Sequence, residues 1–286
     1  MSNAIARAHK SSGGELLLRR PVSEILLDAQ GRPSGVAHAR ADGSERALAY
    51  APVIVSNAAP IHVSDMLPEA ARARFWSPYA GRPLSISLFS ATFGLSVRPA
   101  ELGLTSYSTC LLPEWMQALS DYRKCGDLLA HMPSETLPAL TMVDYSAINS
   151  GLGGPPYPVA VVGVDKTANW AGLDGAAYDD KRNRWRDAVI GAIDRAFPGF
   201  ASHVETAVFS TASTMRSYLN APDGAIYGFA PLPPSGPVWN GPDSGPKTPL
   251  PGLYLASSYA GSGGFTGAIL AGAMAADYVL KERSVV

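Results

Sequence analysis

The sequence predicts a mixed α/β (α+β) chain, in which a small β-meander and a closing strand–loop–helix unit flank a middle of mixed sheet and helices. Three observations carry this. Residues 15–57 read as consecutive short strands separated by tight turns. Residues 174–197 place Tyr178, Trp185, Val189, Ile193 and Phe197 on roughly one helical face. Residues 252–279 read as a short buried strand, a glycine-rich loop and an uninterrupted helix.

The bounds are broad. A chain of 286 residues holds one large or two ordinary domains with a sizeable core. Hydrophobic residues are 47% and charged residues 16%, the balance of a folded and rather apolar protein. A net charge of −1 gives no electrostatic footprint for nucleic acid. No apolar run reads as a membrane span, and residues 1–14 lack the apolar centre of a secretory leader. A cytoplasmic location is expected. Cys110 and Cys125 are neither a disulfide framework nor spaced as a redox or zinc motif. His9, His38, His62, His131 and His203 show no metal-ligand spacing, so no metal is expected.

Taken in order, residues 4–10 suggest the last turns of a helix closed by Ser11-Ser12-Gly13-Gly14. Leu16-Leu17-Leu18 is expected as a strand, then residues 22–27. Residues 28–33 form a turn, 35–41 and 44–50 two strands around the Asp42-Gly43 hairpin signal. Val53-Ile54-Val55 is a buried strand that can return to a parallel sheet. Residues 61–76 are helical, broken by Pro68. Residues 84–93 alternate, with Leu84, Ile86 and Leu88 on one face and Ser85 and Ser87 on the other. Residues 141–145, 159–164 and 204–209 are further strands. Asp179-Asp180 is expected to cap the amphipathic helix, and Pro198-Gly199 ends it. Residues 231–251 are rich in proline and glycine and read as an irregular connection.

The closing unit is the most informative. Leu253-Tyr254-Leu255 suits a buried strand, and Gly261, Gly263, Gly264 and Gly267 let the backbone turn and approach a ligand closely. The helix that follows presents unpaired N–H groups and a partial positive charge at its start. Such a start seats a phosphate or another electron-rich group.

Three segments, in this order, resemble the C-terminal half of the phytoene-desaturase-like flavoproteins, a branch of the amine-oxidase-like FAD enzymes. The first runs from Gly13-Gly14-Glu15 through Arg20-Pro21-Val22-Ser23-Glu24-Ile25-Leu26 to Val53-Ile54-Val55-Ser56-Asn57-Ala58-Ala59-Pro60. The second is Thr214-Met215-Arg216 with Pro222-Asp223-Gly224-Ala225-Ile226-Tyr227-Gly228. The third runs from Leu253-Tyr254-Leu255 to Gly263-Gly264-Phe265-Thr266-Gly267-Ala268.

The resemblance implies FAD as cofactor and a partial Rossmann-like FAD-binding domain made of residues 1–60 and 216–286. Residues 61–215 would form a substrate-binding domain. It implies that Val22 holds the adenine through its backbone, and that Ser56, Asn57 and Ala58 lie beside the adenosine and diphosphate. Gly263, Gly264, Phe265, Thr266 and Gly267 would set the helix start against the flavin, where backbone N–H groups can stabilise charge on the reduced ring. Where the family usually has glycine after the Leu-Tyr-Leu strand, this chain has Ala256-Ser257-Ser258. Ser257 and Ser258 remain able to bond a ribityl or phosphate oxygen.

Arg216, Tyr218 and Tyr227, around the Pro222-Asp223-Gly224 turn, are candidates for the substrate face of the flavin. A salt bridge and a packed tyrosine are the alternative. No catalytic acid or base is named. The family takes hydride onto flavin from long apolar, isoprenoid substrates with little side-chain acid–base work. The G-x-G-x-x-G strand–loop–helix unit with which that family opens has no counterpart here. The expected readings are a C-terminal portion of such an oxidoreductase, a split enzyme whose partner chain carries that unit, or a degenerate, inactive flavoprotein serving as a binding subunit. Expected partners are that second chain, an apolar small molecule, a membrane surface touched peripherally, or a second copy of this chain.

Overall fold

The structure is a computed structural model that describes residues 2–231, 245–261 and 263–283. Most of the proline- and glycine-rich connection expected at 231–251 lies outside the described residues. The chain divides into two compact units, one of residues 1–82 with 231–286 and one of residues 83–230. The second is inserted between two strands of the first.

The first unit opens with α1 (Ser2–Ser11), which Gly13 closes at φ 84°. Leu16, Leu17 and Leu18 do not form the expected strand. They are exposed, and Arg19 just beyond them takes a left-handed φ of 57° that no strand tolerates. β1 (Val22–Leu27), β2 (Pro33–His38) and β3 (Ala47–Tyr50) then make the antiparallel meander, in that order. Its turns follow from side-chain chemistry. Asp28 Oδ1 accepts from the Gln30 and Arg32 N–H groups, and Asp42 Oδ1 accepts from Ser44 N–H beside Gly43 at φ 82°. β4 (Ile54–Ser56) leaves the meander. It leads into α2 (Pro60–Met66) and α3 (Glu69–Trp76), which are separated by Pro68, as its missing N–H and fixed φ require.

The second unit contains β5 (Ser87–Leu95), β6 (Ser108–Leu111), α4 (Cys125–Leu128), β7 (Leu140–Asp144), β8 (Tyr157–Asp165), α5 (Gly175–Ala196), β9 (Val204–Ser210) and α6 (Ala212–Leu219). Its five strands form one antiparallel sheet in the order β6-β7-β8-β5-β9. The strand expected over 84–93 is present but its phase is reversed. Ser87, Phe89, Ala91, Phe93 and Leu95 face the core, while Ile86 is exposed. The reason is that residues 84–86 lie outside the ladder and pair instead with 226–229, so their alternation does not carry into β5. α5 lays Trp185, Val189 and Ile193 on the core that includes Phe89, Phe93 and Val161. Its cap is Asp174, which accepts from Ala177 N–H at 2.8 Å. Asp179 and Asp180 instead pair along the surface with Arg182 and Arg184. Asp174 precedes the first turn and can bend back onto it, whereas 179 and 180 are already inside the helix.

The chain returns to the first unit with β10 (Leu253–Leu255) and α7 (Gly264–Arg283). β10 pairs parallel to β4, Leu253 opposite Ile54 and Leu255 opposite Ser56. α7 is fastened near its far end, where Tyr254 Oη donates to Glu282 and Lys247 pairs with Glu282 at 3.0 Å. The resemblance puts the domain breaks at 60/61 and 215/216, and the compact units change at 82/83 and 230/231. α2 packs on β1, and α6 is bonded into the second sheet. Among the described residues no helix is long and apolar enough to cross a membrane.

Candidate functional site

The carboxyl ends of β4 and β10 lie side by side, and open α/β sheets bind ligands just beyond such ends. Ser56, Asn57 and Ala58 leave one strand; Ala256, Ser257 and Ser258 leave the other. The two exits are bonded together, Ala256 N–H donating to the Ser56 carbonyl at 2.8 Å. Ser56 Oγ accepts from Ala58 N–H, which tightens the first exit. A short 3-10 turn (Ser258–Ala260) follows the second exit, with Ala260 N–H donating to the Ser257 carbonyl. The Ser257 side chain is buried, and its hydroxyl has no hydrogen-bond partner among the described residues. A buried hydroxyl normally finds one. Beside it, burial pushes the Tyr259 phenol up to about 12.

The loop then turns into α7. Gly263 and Gly264 have φ of 81° and 64°, values that a residue with a Cβ rarely adopts. Gly267 N–H donates to the Gly263 carbonyl, and Gly267 is buried while Phe265 and Thr266 are exposed. Ser262 lies outside the described residues. Gly261 touches the first turn: a Cβ there would stand 2.7 Å from the Gly267 carbonyl oxygen. Replacing Gly261 by alanine therefore costs about 1–3 kcal/mol through overpacking against backbone. Urea unfolding reads this, and a loss below about 0.5 kcal/mol rejects the close contact.

Ten of the predicted residues thus lie at the two strand exits and the helix start, namely Ser56, Asn57, Ala58, Ser257, Ser258, Gly263, Gly264, Phe265, Thr266 and Gly267. The arrangement can do one thing well. It aims backbone N–H groups at the start of a twenty-residue helix, with small residues around them, toward an electron-rich ligand. Val22 stands on a different sheet, at the first position of β1. Ala39 N–H donates to the Pro21 carbonyl, the bond that flanks a non-hydrogen-bonded pair, and Val22 faces His38 in that pair. The N–H and C=O of Val22 therefore point away from β2. Among the described residues no strand occupies that side of β1.

Arg216, Tyr218 and Tyr227 belong to the other unit. Arg216 makes no ion pair among the described residues, and the Tyr218 ring is exposed. The turn beside them is tightly built. A Cβ on Gly224 would lie 2.7 Å from both Ser87 Oγ and the Ala212 carbonyl.

Two ionisable residues escaped notice in the sequence. Asp165 is buried at the end of β8. Its Oδ1 accepts from Lys166 N–H and Asn169 Nδ2, and its Oδ2 accepts from Trp170 Nε1 and the first N–H of α6, each at 2.8–2.9 Å. Burial pushes its carboxyl up from the ordinary value, and these donors pull against that. Lys181 is buried on α5, donates to the Ala130 and Asn169 carbonyls, and lies 4.9 Å over the Trp170 ring. Burial pushes its ammonium down, with the Asp165 charge opposing. Both are fully engaged in holding the second unit. The signal for Lys181 was available, since position 181 falls between 178 and 185 on the buried stripe.

No family model matches the chain. In sequence it is 26% identical over 296 residues to rat (Rattus norvegicus) all-trans-retinol 13,14-reductase, covering 95% of this chain and 46% of that one. The human (Homo sapiens) enzyme of that name is 25% identical over 302 residues, with the same coverage. The chain thus spans about half the length of the curated relatives it matches. In structure it resembles an oxidoreductase from Methanosarcina mazei, with a TM-score of 0.57 at 14% identity, covering 96% of this chain and 53% of that one. Cyclohexylamine oxidase from Brevibacterium oxydans gives a TM-score of 0.54 at 15% identity, covering 98% and 51%. The chain is a mixed α/β protein whose fold is similar to that of these two oxidoreductases.

Proposed function

We propose that this chain supplies the flavin-facing half of the cofactor site, and the substrate unit, of an FAD-dependent oxidoreductase of the phytoene-desaturase-like kind. The observation that carries the reading is the pair of bonded strand exits, Ser56–Ala58 and Ala256–Ser258, at the ends of two parallel strands, followed by the glycine-started α7. The residues fit the group. Ser257 has a buried hydroxyl without a partner among the described residues, and the α7 start offers N–H donors. FAD supplies hydride acceptance and donation when bound. Ser257 would bond the ribityl chain, and Gly264–Gly267 would hold the ring edge that gains charge. The backbone of Val22 would take the adenine. Arg216, Tyr218 and Tyr227 are assigned to the substrate side.

The reaction is hydride transfer between FAD and a carbon–carbon bond of an apolar, isoprenoid substrate. Similarity to retinol reductases over 95% of the chain supports that class. The second unit offers an open groove of about 860 Å³, lined by apolar residues such as Leu111, Leu112, Trp115 and Leu137 together with Glu114, Glu135 and Arg195, a size that suits a small molecule. A lipid substrate would bring the protein to membranes peripherally. Because the phosphate-gripping half of the site is not among these residues, FAD titrated into the chain alone quenches little flavin fluorescence. Stoichiometric flavin in the purified chain overturns the half-site reading. With the complementary half supplied, a saturated substrate should bleach the oxidised flavin absorption, and all-trans-retinol should restore it in the reduced assembly. Gly264→Val should weaken FAD at least tenfold, because valine at φ 64° displaces the helix start. A colourless assembly would assign the chain to non-catalytic binding instead.

A further inference from the structure

The chain just before β1 and the chain just after β2 line one open cavity of about 460 Å³. Leu18, Arg19 and Arg20 come from the first stretch, and Arg40, Ala41 and Asp42 from the second. An extended chain sends neighbouring side chains to opposite faces. Arg19 and Arg20 could not both reach one cavity from a strand. The backbone resolves this at Arg19, whose φ of 57° is left-handed. That conformation is unfavourable for a residue with a Cβ, and such outliers gather at functional sites.

Glu45 takes the same left-handed conformation, at φ 51°, and bridges the two flanks. Arg20 Nη1 donates to the Glu45 carbonyl at 2.9 Å, and Arg20 Nη2 to its carboxylate. Arg40 Nε pairs with the other carboxylate oxygen at 2.6 Å. The Arg40 and Arg20 guanidiniums hold the Glu45 carboxyl below its ordinary range. Glu45 thus fixes both guanidiniums without exhausting them. Among the described residues Arg40 commits only Nε, and Arg20 only its two Nη groups. Arg19 makes no ion pair among the described residues. Asp42 already accepts from Ser44 N–H and Ser44 Oγ. Three guanidiniums against the carboxylates of Asp42 and Glu45 leave the rim positive, although the whole chain carries −1.

We propose that this cavity binds a phosphate monoester group, held by Arg19 and by the remaining N–H donors of Arg20 and Arg40. A planar guanidinium matches the oxygens of a phosphate two at a time. The near-double charge of a phosphate monoester suits a positive rim better than a single carboxylate does. The site is separate from the flavin reading above and does not rest on it. Val22 turns its N–H and C=O away from β2, whereas Arg40, Ala41 and Asp42 continue β2. The cavity therefore lies between the entry to β1 and the β2–β3 hairpin, not at the free edge of β1. Leu18 on its rim is exposed. The same chemistry comes from a soluble phosphate ester or from the headgroup of phosphatidic acid.

The test titrates inorganic phosphate into the isotope-labelled full chain, with ionic strength held constant by sodium chloride. The amide resonances of residues 18–20 and 40–42 should shift saturably, and chloride alone should not move them. Arg19→Gln removes no ion pair among the described residues, so the unfolding midpoint should stay unchanged. The same variant should raise the phosphate dissociation constant about tenfold, the loss of a charge-assisted pair. Arg19→Lys, which keeps the charge, should recover most of that affinity. Arg184→Gln, on the outer face of α5, should leave it unchanged. Shifts that do not saturate, shifts that chloride reproduces, full affinity in Arg19→Gln, or an equal loss in Arg184→Gln overturn the proposal. Vesicles of phosphatidylcholine with and without phosphatidic acid separate the sources. Sedimentation that needs both phosphatidic acid and Arg19 assigns the lipid headgroup; saturable phosphate binding without sedimentation assigns a soluble ester. The phosphate shifts should persist when FAD is added. Displacement of phosphate by FAD would give the cavity to the cofactor and overturn the proposal, whereas a chain that binds phosphate and no flavin leaves it standing.

Discussion

Asp165→Ala should remove about 3–5 kcal/mol of stability, the cost of breaking a buried, multiply bonded charge. Four donors lose their acceptor at once. Trp170 Nε1 and the Ala212 N–H are buried, so each is left without water to replace the carboxylate. Lys181 loses the charge that opposes its burial. The start of α6 loses its anchor to β8, and the Pro222–Gly224 turn packed on Ala212 loosens with it. Asp165→Asn keeps the shape but turns an amide donor toward groups that already donate, so about half the loss remains. Urea unfolding followed by near-ultraviolet dichroism reads both variants. A loss under about 1 kcal/mol for the alanine variant would show that the carboxylate is a passenger.

Trp185→Ala should cost about 3–5 kcal/mol, the range for truncating a fully buried indole. Trp185 is 1% exposed, lies between Lys181 and Val189 on the inner face of α5, and donates from Nε1 to the His131 carbonyl at 3.0 Å. Alanine leaves both a cavity in the main core and an unpaired carbonyl. Trp185→Phe fills most of the space but not the bond, so its cost stays near 1–2 kcal/mol. Leu119→Ala, on an exposed residue of the same unit, should stay within about 0.5 kcal/mol. If the alanine variants at 185 and 119 unfold together, α5 does not hold the sheet.

Much of this was legible in the residues. The meander, the short strands β4 and β10, the long amphipathic helix and the glycine-started α7 all rest on local chemistry that a sequence displays: turn aspartates, positive-φ glycines, apolar periodicity. The strand exits and the helix start were legible as a set of residues, because strand ends and helix starts are encoded next to one another in the chain. What was not legible depended on pairing across long separations. β6 is four residues, Ser-Thr-Cys-Leu, with no pattern of its own, and exists because β7 offers it an edge. The sequence separates the two faces of β5 but not which is buried, and residues 84–86 pair with 226–229, not with β8 and β9. Leu16–Leu18 had strand composition but pair with no strand among the described residues. Asp165 looked like an ordinary strand end; only the fold brings Trp170, Asn169 and α6 to it.

The shared carboxylate at Asp165 has an optical consequence. One oxygen holds both the indole of Trp170 and the first amide of α6. Any ligand that draws on Arg216 and tilts α6 must therefore change the polarity at that indole nitrogen. A fluorinated tryptophan at position 170 would register the seating of α6 directly, through an atom the protein already keeps dry.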